Sequence, residues 1–282
     1  MQKAKTVEKK GVNYRVTFYL DPFNKRVRVD DYIGNLNQLL IESERMAKEH
    51  KAEKLIFKAR KEHFLTLVEH GFRFEGMICG YFLGSDCLFF SKFYNHERMR
   101  SQEWGKEDEL LYGVTSLDRH AKLGTIPGEY TLKKLTENDA EGLAKLYQQI
   151  FKIYPTPLNK PEYIKETMKE GTIYFGFEHH GEIISAASAE VNDFYKNAEL
   201  TDCATLKAHR KYGLMKFLLL RLEEELKSNG IYCVYSIARS LSFGMNAALH
   251  QLGYDYRGRL MNNCYIYDKL EDMNLWVKDM SK

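Results

Sequence analysis

The sequence predicts a mixed α/β (α+β) fold built in two halves, and three observations carry that reading. Strand-like alternation and helix-like apolar stripes succeed one another along the chain. A short signature, Gly71-Phe72-Arg73-Phe74-Glu75-Gly76, returns 182 positions later as Gly253-Tyr254-Asp255-Tyr256-Arg257-Gly258. Each copy follows a helix–strand–helix pattern and precedes further strands, which reads as a structural duplication. Between the copies, the stretch from Arg98 to Gly128 mixes charges with Gly105, Gly113, Gly124 and Ile126-Pro127-Gly128, and reads as a linker or crossing segment. The chain divides accordingly into residues 1–125 and 126–282. Its 282 residues suit two domains, and 44% apolar with 29% charged residues is a globular balance.

The first half opens with a hairpin: residues 12–20 alternate, Asp21-Pro22-Phe23-Asn24 turns, and residues 26–29 return. A helix over 36–49, a strand over 54–58 and a helix over 61–69 follow, with Gly71 as the stop. Two strands close the half, the second rich in aromatics at Cys87-Leu88-Phe89-Phe90.

The second half starts with an alternating strand over 130–135. Thr136 then caps a helix with Asp139 at the capping-box position, and Leu143, Leu146, Tyr147 and Ile150 mark its apolar face. Pro155 and Pro157 break the chain before a helix over 161–169. Strands over 172–178 and 182–191 flank a His179-His180-Gly181 turn, and another strand covers 199–206. After Gly213, Leu214, Phe217, Leu218, Leu222 and Leu226 form a buried stripe, Glu223, Glu224 and Glu225 face mostly outward, and Asn229-Gly230 ends the helix. A strand over 231–237, a helix over 242–252 stopped by Gly253, and strands over 254–257, 260–267 and 273–278 complete the chain.

Composition narrows the function. A net charge of +3 from 42 basic and 39 acidic residues does not suit a nucleic-acid binder. No apolar run approaches the ~20 residues that span a bilayer, and the polar start Met1-Gln2-Lys3-Ala4-Lys5 does not read as a signal peptide. Cys79, Cys87, Cys203, Cys233 and Cys264 are odd in number and widely spaced. That pattern suits a reduced, cytoplasmic protein without a metal site.

The chemistry concentrates in Thr201-Asp202-Cys203-Ala204-Thr205-Leu206-Lys207-Ala208-His209-Arg210-Lys211-Tyr212-Gly213-Leu214-Met215. This is a strand, a short basic turn with a glycine, and a long amphipathic helix. A helix N-terminus offers unpaired N–H groups and partial positive charge, so an anion such as a pyrophosphate fits there. Gly213 would let the backbone approach it, and Lys207, Arg210 and Lys211 add charge. A solvated basic turn would look the same.

That stretch resembles the acetyl-coenzyme A motif of the GCN5-related N-acetyltransferase (GNAT) family, Gln/Arg-x-x-Gly-x-Gly/Ala. Arg210 and Gly213 match, and Met215 departs at the last position. The flanking elements from Tyr130 onward agree with the family, as does Asn246 in the later helix. Further stretches resemble the beta-lysine N-acetyltransferases of that family: Glu199-Leu200-Thr201-Asp202-Cys203-Ala204-Thr205, Ala238-Arg239-Ser240-Leu241-Ser242-Phe243-Gly244-Met245-Asn246, Asn262-Asn263 and Glu271-Asp272-Met273-Asn274-Leu275-Trp276. In the first half, Asp30-Asp31-Tyr32-Ile33-Gly34 and Gly80-Tyr81-Phe82-Leu83-Gly84 do so too.

The resemblance implies a GNAT domain in the second half and a degenerate, non-catalytic GNAT-like first half that shapes the substrate pocket. It implies acetyl-CoA as cosubstrate, beta-lysine as the amine partner, and its N-epsilon-acetyl product, a compatible solute. Thr205, Leu206, Arg210, Lys211, Tyr212, Gly213, Leu214, Met215 and Asn246 would hold the cofactor. Asp202 is favoured as amine binder or base, with Glu199 on the strand's other face by strict alternation and Glu190 as a weaker candidate. Backbone amides near Cys203–Leu206 would polarise the thioester. The usual proton-donating tyrosine position is Leu249 here, leaving Tyr235, Tyr254 and Tyr265 as substitutes. Arg239 is expected to take the substrate carboxylate, with Arg257 and Arg259 as alternatives, and Asn262 and Asn263 the beta-amino group. Another small amine, or a non-catalytic acyl-CoA sensor, remains a competing reading.

Overall fold

The computed structural model describes residues 4–119, 123–151, 156–266 and 269–281. The predicted break at Pro155 and strand end at Tyr267 lie outside them. The first half comprises β1 (Lys5–Lys10), β2 (Tyr14–Asp21), β3 (Arg26–Gly34), α1 (Leu36–Glu49), β4 (Lys54–Arg60), α2 (Phe64–Glu69), β5 (Arg73–Phe82), β6 (Ser85–Phe93) and α3 (Trp104–Thr115). The second comprises β7 (Tyr130–Lys134), α4 (Ala140–Ile150), α5 (Pro161–Lys169), β8 (Ile173–His179), β9 (Glu182–Asn192), β10 (Asn197–Thr205), α6 (Leu214–Ser228), β11 (Cys233–Arg239), α7 (Phe243–Gln251), β12 (Asp255–Ile266) and β13 (Lys269–Asp279).

Among the described residues, all thirteen strands form one sheet in the order β1-β2-β3-β4-β6-β5-β12-β13-β11-β10-β9-β8-β7. From its middle outward, β5-β6-β4-β3-β2 mirrors β12-β13-β11-β10-β9. In both halves the strands flanking the first helix of the repeat pair in parallel, β3 with β4 and β10 with β11. The halves join where β5 pairs antiparallel with β12, Gly76 opposite Gly258. The glycines of the repeated signature therefore meet each other at the approximate dyad. A Cβ on Gly258 would lie 2.2 Å from the Glu75 carbonyl oxygen and 2.4 Å from Gly76 Cα, so this junction admits no side chain.

Helices α1 and α2 bury Leu39, Leu40, Met46 and Leu67 against Val16, Phe18, Val27, Val29, Leu55 and Phe57 of one sheet face. On that same face, α6 and α7 bury Leu214, Leu218, Leu222, Leu226 and Leu249 against Leu200, Val234 and Trp276. The opposite face is shared by both halves through Ile56, Ile78, Tyr81, Phe89, Tyr235, Leu260 and Leu275. There α4 and α5 cover only the second half's outer strands. The sheet curls about this face, so side chains of β2, β3 and β4 come to look at β9 and β10.

Some expectations change. The predicted linker contains α3, whose Val114 joins the core under α6 and α7. Gly113 lies inside α3 rather than in a loop, and a Cβ there would meet the Phe243 ring at 3.7 Å, an ordinary contact. Strand β1 was invisible in its charged sequence because it is an exposed edge. The separate strands expected over 254–257 and 260–267 are one strand, β12, kinked by register shifts at Tyr256/Gly258 and Leu260/Cys264. Glu223 points inward and pairs with Lys278 at 2.6 Å, unlike its two neighbours.

Candidate active site

Strand β10 ends at Thr205, and a 3-10 turn over Lys207–Tyr212 leads into α6. Gly213 sits between them at φ +64°, the left-handed conformation that glycine tolerates. No side chain caps α6, and its first turn carries no acidic residue. Its leading backbone N–H groups thus keep their positive end uncompensated. Lys207, Arg210 and Lys211 stand exposed around it. Arg210 Nε donates to the Thr205 carbonyl at 3.0 Å, which holds the turn's shape. Leu214 and Met215 point their side chains into the core, so they offer only backbone outward. Met215 in place of a small residue therefore does not obstruct the turn. The arrangement fits a diphosphate.

Upstream, β10 pairs with β11 only over Asn197↔Cys233, Ala198↔Val234 and Glu199↔Tyr235. The strands then diverge, though they continue to Thr205 and Arg239. This opening has room for an extended chain running toward the α6 turn. On its other edge β10 bulges: its register with β9 shifts between Thr201 and Ala204, and Asp202 has φ +51°. Leu200 packs under α6, whereas Ala204 packs under α4 and α5. The strand changes face across the bulge. Asp202 consequently joins Glu199 on one face, against the strict alternation expected from sequence, and its Oδ2 accepts from Ser188 Oγ of β9 at 2.9 Å.

Glu190 lies opposite Glu199 in the β9–β10 register. It is exposed to solvent, yet burial is the first cause that lifts its carboxyl to about 8, with Glu199 and Asp202 adding repulsion. The carboxyl is thus open to solvent on one side and crowded by Glu199 and Asp202 on the other. Burial also raises Glu199, while Lys58, Arg28 and the Tyr235 hydroxyl pull it back. Tyr163 of α5 is raised by burial first and then by Glu190 and Asp202, so α5 roofs the cluster. The far wall comes from the first half. Arg28 grips Asp30 through Nε at 2.5 Å and Nη2 at 3.1 Å. Lys58 Nζ lies 3.1 Å from Asp30 and donates to Tyr81 OH at 3.0 Å. Burial alone would raise Asp30, but the two cations bring it down to about 2. The Tyr19 ring centroid lies 4.8 Å from the Arg28 guanidinium.

A model of the acetyltransferase (GNAT) family matches residues 141–254. The chain is 38% identical over 260 residues to N-acetyltransferase YodP of Bacillus subtilis, covering 92% of this chain and 94% of that one. It is 34% identical over 268 residues to the beta-lysine N(6)-acetyltransferase of Methanosarcina mazei, covering 88% and 99%. The protein of that name from Methanococcus maripaludis is 34% identical over 261 residues, covering 92% and 94%. The chain belongs to the GNAT acetyltransferase family. It is an acetyl-CoA-dependent N-acetyltransferase, with the GNAT domain in its second half.

The acetyltransferase gathers some of the expected residues and scatters others. Asp202, Glu199, Glu190 and Tyr235 come together beside the opened strands. Tyr235 is buried against Glu199, and burial pushes its hydroxyl well above the usual range. Tyr254 is buried in the core beneath α6, on the other sheet face, and Tyr265 packs on Phe23 of the β2–β3 turn. Cys203 packs toward the α6 core, and burial pushes its thiol up, so it stays protonated. The Leu206 N–H is bonded to the Ile184 carbonyl at 2.9 Å and cannot polarise a thioester.

Asn246 is fully buried and fully used: it donates to the Arg239 and Ser242 carbonyls and accepts from Asn274 and Trp276. It is a core bracket with no capacity left for a cofactor. Asn262 donates to the Arg98 and Arg100 carbonyls, and the Asn263 carbonyl accepts from Arg26 and Arg98. Both tie the halves together at the sheet junction. Arg259, read as a possible solvated charge, is buried against Glu107, Asp108 and the Trp104 ring. Arg257 pairs with Asp255 at the surface.

Arg239 is the largest correction. Its fork is filled by Glu271, Nε at 2.6 Å and Nη2 at 2.7 Å, and Glu271 is buried. A protein carboxylate holds the place foreseen for a substrate carboxylate. Arg239→Ala should therefore cost stability, about 1–3 kcal/mol for the stranded acceptor, and leave the amine KM within about twofold. Thermal melting and steady-state kinetics on one preparation check this; a tenfold rise in amine KM would restore the original assignment.

Sequence reasoning passed over Arg28, Asp30, Lys58, Ser188 and Tyr163. Asp30 and Asp31 lie just before α1, where two unpaired carboxylates would repel an anion. In the fold, Asp30 is neutralised by Arg28 and Lys58, and Asp31 by Arg60. Among the described residues, the first half also has no turn like the one before α6. Gly34 ends β3, Leu36 begins α1, and the single residue between, Asn35, caps the helix by accepting from Gln38 N–H at 3.1 Å.

Proposed function

We propose that this acetyltransferase acetylates the epsilon-amine of beta-lysine, giving N-epsilon-acetyl-beta-lysine, which suits a compatible solute. The observation that carries the reading is the convergence of Glu190, Glu199 and Asp202 on one pocket at the point where β10 and β11 part. Three carboxyl groups in a concave, partly desolvated site call for a cationic ligand with more than one amino group. The names of the two archaeal relatives point the same way.

In this mechanism Asp202, anchored by Ser188, holds the incoming ammonium. A lysine-type amine has a pKa of about 10.4 and must lose a proton before attack. Glu190, lifted to about 8, is strong enough a base to take it and close enough to neutrality to release it. Tyr163 and the first-half wall narrow the access of bulk water to the cluster. The acetyl donor's extended arm would run along the opened edge of β10, and its diphosphate would rest on the α6 turn with Lys207, Arg210 and Lys211. Acetyl-CoA supplies the activated acyl group.

Release of free coenzyme A should be measured with beta-lysine, alpha-lysine and spermidine side by side. Preference for beta-lysine is expected. Preference for either of the others removes the substrate assignment and keeps acetyl transfer. Cofactor binding without turnover of any of them would favour a sensor.

A further inference from the structure

The pocket has two chemically opposite ends, and they come from different halves of the chain. One end is acidic and belongs to β9 and β10. The other is Arg28, Lys58 and Asp30 on β3 and β4, two cations around one carboxylate. The valines Val27 and Val29 of β3 face the helices, so Arg28 and Asp30 face the pocket. On β4, Leu55, Phe57 and Ala59 face the helices and Lys58 faces the pocket. The two ends sense each other: Arg28 and Lys58 lower both Glu190 and Glu199.

Asp30 meets one of the two positive charges, and the other faces the Glu190–Glu199 pair, which Arg28 and Lys58 lower. Arg28 spends Nε and Nη2 on Asp30, and no bond from its Nη1 occurs among the described residues. Lys58 spends two of its three protons, on Asp30 and Tyr81. Each cation keeps a donor. Their side chains are reached by solvent, 23% for Arg28 and 9% for Lys58. Tyr19 stacks beside Arg28 and limits its swing. Two cations that share Asp30 and each keep an unspent donor are a carboxylate receptor.

The geometry points to Arg28 and Lys58 as the anchor for the carboxylate of an amino-acid acceptor, supplied by the half that holds no cofactor. The assignment rests on the amino-acid reading of the acceptor given above. The first half then acts as a specificity element: it holds the acid end of the substrate while the second half holds and deprotonates the amine. Arg28 and Lys58 touch substrate without taking part in proton or acyl transfer, so their loss should act on KM more than on kcat.

The test pairs beta-lysine with pentane-1,4-diamine, the same molecule without its carboxylate, at saturating acetyl-CoA. The wild-type enzyme should prefer beta-lysine. In Arg28→Met the KM for beta-lysine should rise at least tenfold, with the KM for the diamine and for acetyl-CoA unchanged. Because Arg28→Met leaves Asp30 with one partner, the pair Arg28→Met/Asp30→Asn, which removes both charges and keeps an amide oxygen for Lys58 to donate to, serves as a second version and should show the same selectivity loss. Lys58→Met should act in the same direction. Equal losses for beta-lysine and the diamine would mean a structural role and overturn the anchor. So would a wild-type enzyme indifferent to the carboxylate, or one that takes none of these acceptors. Arg28 dependence seen with alpha-lysine as the favoured acceptor would instead remove the substrate assignment and keep the anchor.

Discussion

Glu190→Gln should lower kcat/KM for the amine by about 100-fold or more, the range expected when a positioned general base is lost. Glutamine keeps the shape and the hydrogen-bonding oxygen but cannot take a proton. The pH dependence gives the sharper signature. Glu190 must be ionised to act, and its carboxyl sits near 8. Wild-type kcat/KM should climb through that value, well below the pKa of about 10.4 of the free amine. The Gln variant should lose that limb. Stability should show the opposite trend. The unfolded chain releases this proton near 4.5 and the folded chain holds it to about 8. Between those values the native state binds more protons, so the ligand-free enzyme loses stability as pH rises across the window. Outside the window the contribution is level. Melting curves across pH 4–9 should therefore slope more steeply for the wild type than for Glu190→Gln, in which Glu199, also raised by burial, still contributes. Unchanged activity in the variant would remove Glu190 from the mechanism.

The second large effect is on the joint between the halves. Gly258→Ala should destabilise the protein by about 3 kcal/mol or more, from overpacking plus backbone strain. The methyl group would meet the Glu75 carbonyl at 2.2 Å and Gly76 Cα at 2.4 Å, and Gly258 has φ +144°. Both obstacles are backbone, so no rotamer change relieves them. For a chain of this size the melting temperature should fall by roughly 6–10 °C. With the proposed amine site walled by both halves, KM for the amine should rise as well. Gly105→Ala is the control: nothing lies within 4 Å of the added carbon, and it sits in α3. It should be neutral or slightly stabilising. A Gly258→Ala protein as stable as wild type would mean that β5 and β12 do not pair as described.

Much of this was legible in the chain. The offset of 182 between the two glycine signatures foretold a duplication, and the structure makes those glycines face each other. The stripe Leu214, Leu218, Leu222, Leu226 lies buried under α6 as its spacing predicts. The strand–turn–helix around Gly213 has the left-handed glycine and the uncapped helix end that a phosphate requires. These are local matters, decided by residues within a turn or two of each other.

The pairings were not legible. Arg239 looks the same in sequence whether it waits for a ligand or holds Glu271, 32 positions away. Arg26-Val27-Arg28-Val29-Asp30 reads as a strand with a polar solvent face, and only the curl of the sheet turns that face into a pocket wall. One bulge at Asp202 reverses the face assignments that alternation implies, because an extra residue shifts everything after it by one. Sequence by itself determined most of the elements, the buried helix stripes and the strand–turn–helix around Gly213, since those follow from short-range periodicity and backbone chemistry. Only the tertiary structure decided which charges meet. A charge's role depends on what the long-range packing places opposite it, and here that partner lies in another strand or the other half of the chain.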